Sequence, residues 1–121
     1  MSPIPLDSLR AYLLSKKGAT EETPFGPDVL VFKVMGKMFA LLAWQADPLR
    51  ISLKCDPDDA LALRKQYMAV RPGYYMNKRH WNTITLDGSI PEGEIWAMID
   101  DSYALVARGL KKALREELEM M

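Results

Sequence analysis

The sequence has a single cysteine, Cys55, among its 121 residues, which excludes an internal disulfide and suits a reducing compartment. It has a single histidine, His80, and no Ser, Cys or carboxylate stands at a recognisable catalytic spacing from it. No apolar run approaches the roughly 20 residues that span a bilayer, and residues 1–10 lack the basic start and apolar core of a signal peptide. The expectation is a cytoplasmic protein with no membrane association. Lysine plus arginine and aspartate plus glutamate number 16 each, so the formal net charge is zero and no whole-protein field draws in nucleic acid. Any such binding has to come from a local patch. Phosphate-loop and dinucleotide glycine patterns are missing, as is zinc-site spacing. No cofactor, metal or catalytic residue is expected, and a non-enzymatic role is favoured.

What is present reads as one domain, because 49% of the residues are hydrophobic and no repeat or Ser/Gly linker divides them. Leu6, Leu9 and Leu13 fall at helical spacing, and Lys16-Lys17-Gly18 supplies a cationic last turn and a stop, predicting a helix over 6–17. Residues 19–28 carry Pro24, Gly26 and Pro27 and read as a loop. Two β-rich runs, 29–35 and 38–44, flank Gly36-Lys37 as a hairpin. Residues 50–54 alternate Arg50, Ser52 and Lys54 outward with Ile51 and Leu53 inward, the period of a half-buried strand.

Asp56-Pro57-Asp58-Asp59 then opens a second helix with an N-cap acceptor, a first-turn proline and two carboxylates at the positive dipole end. The same position places Cys55 near a helix N-terminus, which can lower a thiol pKa, although no partner or resolving cysteine accompanies it. A strand is expected over 83–86. A long helix over 91–108 follows, on the spacing of Ile95, Ile99, Tyr103 and Val106, with Ser89 and Glu92 as a candidate capping box. Gly109 marks a kink or end before an amphipathic extension over about 110–121. The predicted order is α-β-β-β-α-β-α with this added helix. That is an α+β fold, an antiparallel sheet of four to five strands covered on one face by helices. Function is then expected on the uncovered face or its loops.

The densest chemistry lies in residues 70–83, which hold Arg71, Lys78, Arg79, His80, Tyr74, Tyr75 and Trp81 with no carboxylate among them. Cations attract phosphate and aromatic faces stack on bases, so the run is a candidate nucleic-acid contact. The structural alternative is equally concrete. Asn77 suits the cap of a turn through Lys78-Arg79-His80, and Trp81 beside an alternating strand suits the core, as do Trp44 and Trp96. For His80 a structural hydrogen bond from the ring is expected over acid–base work.

Ile51-Ser52-Leu53-Lys54, Val70-Arg71-Pro72, Asn77-Lys78-Arg79-His80-Trp81, Leu86-Asp87-Gly88-Ser89 and the closing Asp101-Ser102-Tyr103 together resemble the MmcQ/YjbR family. The resemblance implies a CyaY-like (frataxin-like) sandwich with a double-wing arrangement and a predicted DNA-binding role. It carries over Lys54, Arg71, Asn77, Lys78, His80 and Trp81 as site residues. Many members have His where this chain has Tyr75, so stacking, not imidazole chemistry, is the role that transfers there. Frataxin-like proteins also carry an acidic ridge on the first helix, whereas here Asp7 is followed by Arg10, Lys16 and Lys17, with only Glu21 and Glu22 beyond. Two readings stay open: a DNA-binding module with Tyr74 or Tyr75 stacking on a base, or a protein-interaction or small-ligand domain whose Asn-Lys-x-His-Trp motif is structural.

Overall fold

A computed structural model of the chain describes residues 3–73 and 76–121. Along the chain run α1 (Leu6–Leu14), β1 (Ala19–Glu22), β2 (Leu30–Val34), β3 (Lys37–Ala43), β4 (Arg50–Lys54), α2 (Pro57–Gln66), β5 (Val70–Pro72), β6 (Trp81–Thr85), α3 (Glu92–Arg108) and α4 (Lys112–Glu119). The six strands form one antiparallel sheet in the order β1-β2-β3-β4-β6-β5. The α+β class holds, with more strands than the four to five expected.

Alternation along the strands sorts the sheet into two faces. Val70, Ile84, Ile51 and Leu42 follow one another across β5, β6, β4 and β3, and all are buried in the core. The helix α3 lies over β2, β3 and β4 with Ile95, Ile99 and Val106 buried, and α2 packs against β5 and β6 through Ala60. The residues of opposite parity, Leu41, Ser52, Thr83 and Arg71, pair in register across β3, β4, β6 and β5 on the other face.

Several expectations are met in detail. The β4 strand alternates as read, and Asp56 caps α2 by accepting from the Asp58 N–H at 3.0 Å. Such a cap contributes about 1 kcal/mol. The hairpin forms one residue earlier than predicted. Val34 pairs with Lys37, and Met35 and Gly36 form the two-residue turn with φ of 49° and 83°, the positive values whose twist suits a tight hairpin. Residues 19–22, read as loop, are the edge strand β1, which pairs with β2 although it lacks an alternating apolar signal. The Ser89–Glu92 capping box does not form. Ser89 instead donates from both its N–H and hydroxyl to Asp87, and Pro91 precedes the first turn of α3. Gly109 ends α3, Leu110 is buried at the junction, and α4 follows with Leu118 buried.

A β-bulge on β3 shapes the centre of the sheet. The pairing register shifts between Phe32 and Lys33 and leaves Phe39 out of the ladder, next to the point where β3 and β4 stop pairing at Ala40 and Leu53. The buried Ser102 hydroxyl of α3 fills that gap, accepting from the Lys54 N–H at 2.9 Å and donating to the Phe39 carbonyl at 2.6 Å. The first helix is tied to α3 at Asp100, whose carboxylate accepts from Tyr12 at 2.6 Å and from the Lys16 ammonium. Arg10 meets Glu21 through two bonds of 2.8 and 2.7 Å, fastening α1 to β1.

Candidate nucleic-acid interface

The segment that follows β5 is held in place largely by its own motif. Gly73 donates to the Trp81 carbonyl at 2.8 Å, and a Cβ at Gly73 would lie 2.7 Å from the Trp81 Cβ, so the closeness of this approach requires glycine. Trp81 is buried, as its neighbouring strand implies, and offers no open stacking face. Asn77 accepts from the Arg79 N–H at 3.0 Å through its side chain, the turn-capping role expected of it. Lys78 directs its ammonium onto the Gly73 carbonyl at 3.1 Å.

His80 is half-buried and is fixed through its backbone. Its N–H donates to Asn77 and its carbonyl accepts from Cys55 at 2.8 Å, whereas its ring makes no hydrogen bond among the described residues. The ring bond expected at this position is therefore replaced by main-chain bonds. Tyr74 and Tyr75, the candidate stacking rings, lie outside the described residues.

Arg64, on α2, is the anchor that local sequence reasoning did not single out. Its guanidinium donates to the Asn82 side-chain carbonyl at 2.6 Å, to the Lys78 carbonyl and to the Trp81 carbonyl at 3.3 Å. A planar fork meets these acceptors in a fixed arrangement that the compact ammonium of a lysine does not reproduce. Asn82 completes the link by donating to Ala60 at 3.3 Å. The only cue in the sequence is an arginine in the last turn of a helix, and that turn's position against the motif is a tertiary fact.

The cations expected to act together separate in space. Arg79 is exposed on the turn and Lys78 is committed to Gly73, while Lys54 stands at the end of β4 opposite Trp81. Arg71 projects from the open sheet face, where its neighbour across β6 is Arg50, a residue the motif does not contain. Arg50 pairs with Thr85 and Arg71 with Thr83, and these four residues with Pro72 line a notch of about 330 Å³. Both arginines are exposed, and neither meets a carboxylate among the described residues. The notch adjoins a larger apolar groove of about 550 Å³ walled by Phe25, Val29, Met38, Leu41, Ala43 and Met76, with Ser52 and Thr83 in its lining. Ser52 and Thr83 share a hydrogen bond of 2.8 Å.

Elsewhere the chemistry is quiet. Burial, reinforced by Asp59, Asp101 and Asp56, pushes the Cys55 thiol up to about 11, overriding any lowering from the helix end. It is a protonated thiol at neutral pH, with little nucleophilic character. Glu21 and Glu22 are engaged with Arg10 and Lys33, and no three His, Cys, Asp or Glu side chains are grouped for a metal among the described residues. No helix among them is long and apolar enough to cross a membrane.

Residues 14–105 match the YjbR family model. The chain belongs to the YjbR family. The uncharacterised protein YjbR of Escherichia coli K12 is 33% identical over 113 residues, 93% of this chain and 96% of its own. The uncharacterised Escherichia coli protein YbdF is 40% identical over 89 residues, covering 74% of this chain and 73% of its own. Among solved structures, the crystal structure of the Deinococcus radiodurans protein DR2400 is 41% identical, with a TM-score of 0.88 over 94% of this chain and 87% of its own. A Pseudomonas syringae protein shares 30% identity and a TM-score of 0.73, over 85% of this chain and 99% of its own. YjbR membership accounts for the fold shared with these structures. It assigns no ligand.

Proposed function

We propose that this YjbR-family domain is a non-enzymatic nucleic-acid-binding module that holds phosphate on the open face of its sheet through Arg50 and Arg71. One observation carries the reading. Two exposed guanidinium side chains, neither with a carboxylate partner among the described residues, flank a notch that Thr85 also lines. A guanidinium can grip a phosphate through two parallel bonds.

The Asn-Lys-x-His-Trp motif enters this reading as scaffold. Asn77, Lys78 and Trp81 are occupied with the turn, and Arg64 clamps it to α2. The motif thereby fixes β6, which carries the two threonines, between the strands that carry the arginines.

Fluorescence anisotropy with labelled single- and double-stranded DNA tests the proposal. The wild type should bind weakly, and Arg50→Ala/Arg71→Ala should lower affinity at least tenfold, given roughly 1.5–3 kcal/mol for each hydrogen bond to a charged group. Both substitutions lie on the surface, so the melting temperature should hold. Superimposable wild-type and variant curves would remove the proposal.

A further inference from the structure

We infer that the open face accepts an unpaired nucleotide, with its phosphate in the Arg50–Arg71 notch and its base in the adjoining apolar groove against Phe25; this rests on the nucleic-acid reading above. The notch and the groove share Arg50 and Thr83 as lining residues, so an occupant of both carries an anion directly beside a mainly apolar body. Their volumes of about 330 and 550 Å³ fall within the range of small-ligand sites, roughly 300–1,000 Å³. A nucleotide has that layout, a charged group at one end and a flat ring with a polar edge at the other.

Phe25 is the feature that selects for a ring. It is 64% exposed, an unusual placement for a large aromatic side chain, and it forms part of the groove wall. The loop presenting it is fixed on both sides. Trp44 donates its indole N–H to the Pro27 carbonyl at 2.7 Å, and Gly26 donates to Thr23 at 3.3 Å while adopting a φ of 105° that favours glycine. Trp44, expected as a core residue, is thus a half-buried strut for this loop. An aromatic face held ready beside an apolar trough gives a base a stacking surface without a large ordering cost.

The groove floor adds the Ser52–Thr83 hydroxyl pair. Ser52 places a hydroxyl in the groove lining, a polar group of the kind that meets the edge of a base. A duplex cannot use this arrangement, because its bases are stacked and paired inside the helix and it presents only phosphates to the notch. The face should therefore prefer single strands.

The test compares three labelled ligands of equal length: a single strand, a single strand of abasic sites with the same phosphates, and a duplex. Wild type should bind the ordinary single strand on the order of tenfold more tightly than the other two. Phe25→Ala should erase that preference while leaving abasic and duplex affinities unchanged, whereas Arg50→Ala/Arg71→Ala should weaken all three. Phe25 is on an exposed loop, and equal melting temperatures would verify that folding is unaffected. Equal wild-type affinity for the single strand and the abasic strand, or an unaltered preference in Phe25→Ala, would overturn the base site while leaving the phosphate reading intact. Absence of binding to all three, with uptake of a fluorescent fatty acid by the wild type, would overturn both in favour of an amphipathic organic acid.

Discussion

A single hydroxyl decides whether the bulge in β3 is tolerable. Ser102 accepts from one strand and donates to the next across a gap that neither backbone closes alone, and it does so with no solvent exposure. Ser102→Ala leaves a buried N–H and a buried carbonyl facing a methyl group, a loss of about 1–3 kcal/mol. The expected result is a melting temperature several degrees lower, followed by circular dichroism; an unchanged melt would mean that β3 and β4 close the gap themselves. The residue scale is also where sequence reading reached least far. Asn77 and Asp56 were legible because their caps act within two residues. Ser102, Arg64 and Trp44 were not, because each meets its partners across 14 to 63 positions of chain.

Between elements, the junction of α1 with α3 depends on the Asp100 carboxylate. Burial would raise its pKa, but the hydrogen bonds from Lys16 and Tyr12 outweigh that and hold it below the ordinary carboxylate value. A folded-state pKa below the unfolded one means that this contribution is complete above the unfolded value, about 3.9, and fades as pH falls through the folded value. Glu21 behaves alike, lowered chiefly by its hydrogen bond from Arg10. Melting temperature should therefore be flat between neutral pH and about 5 and drop below about 4, with a shallower drop in Asp100→Asn. An identical acid profile in that variant would show that the junction contributes nothing to acid sensitivity. Elements with their own periodicity, β4 and α3, were readable from the sequence. The β1 strand was not, since Ala19, Thr20, Glu21 and Glu22 become a strand only because β2 lies beside them.

For the whole molecule, zero net charge means that attraction to a polyanion is as strong as the local contacts and no stronger. Two phosphate contacts predict a slope of log affinity against log salt near −1.4 on single strands, and the double arginine variant should bring it close to zero. A wild-type slope as steep as about −3 would mean that Arg79, Lys54 and other cations also reach the backbone. The candidate site was half legible: Arg71 was singled out, but its partnership with Arg50 arises from strands that the order β4-β6-β5 places side by side. That same order leaves β1 and β5 as the margins of the sheet. The β5 margin is three residues long and includes Pro72, which has no N–H to offer, and the β1 margin is four residues long and ends in Glu21-Glu22. Margins so short and so poorly suited to pairing resist extension by another chain's strand. Growth into fibrils is disfavoured at both, and a macromolecular partner is left to approach broadside, over the arginines, instead of being stitched on from the side.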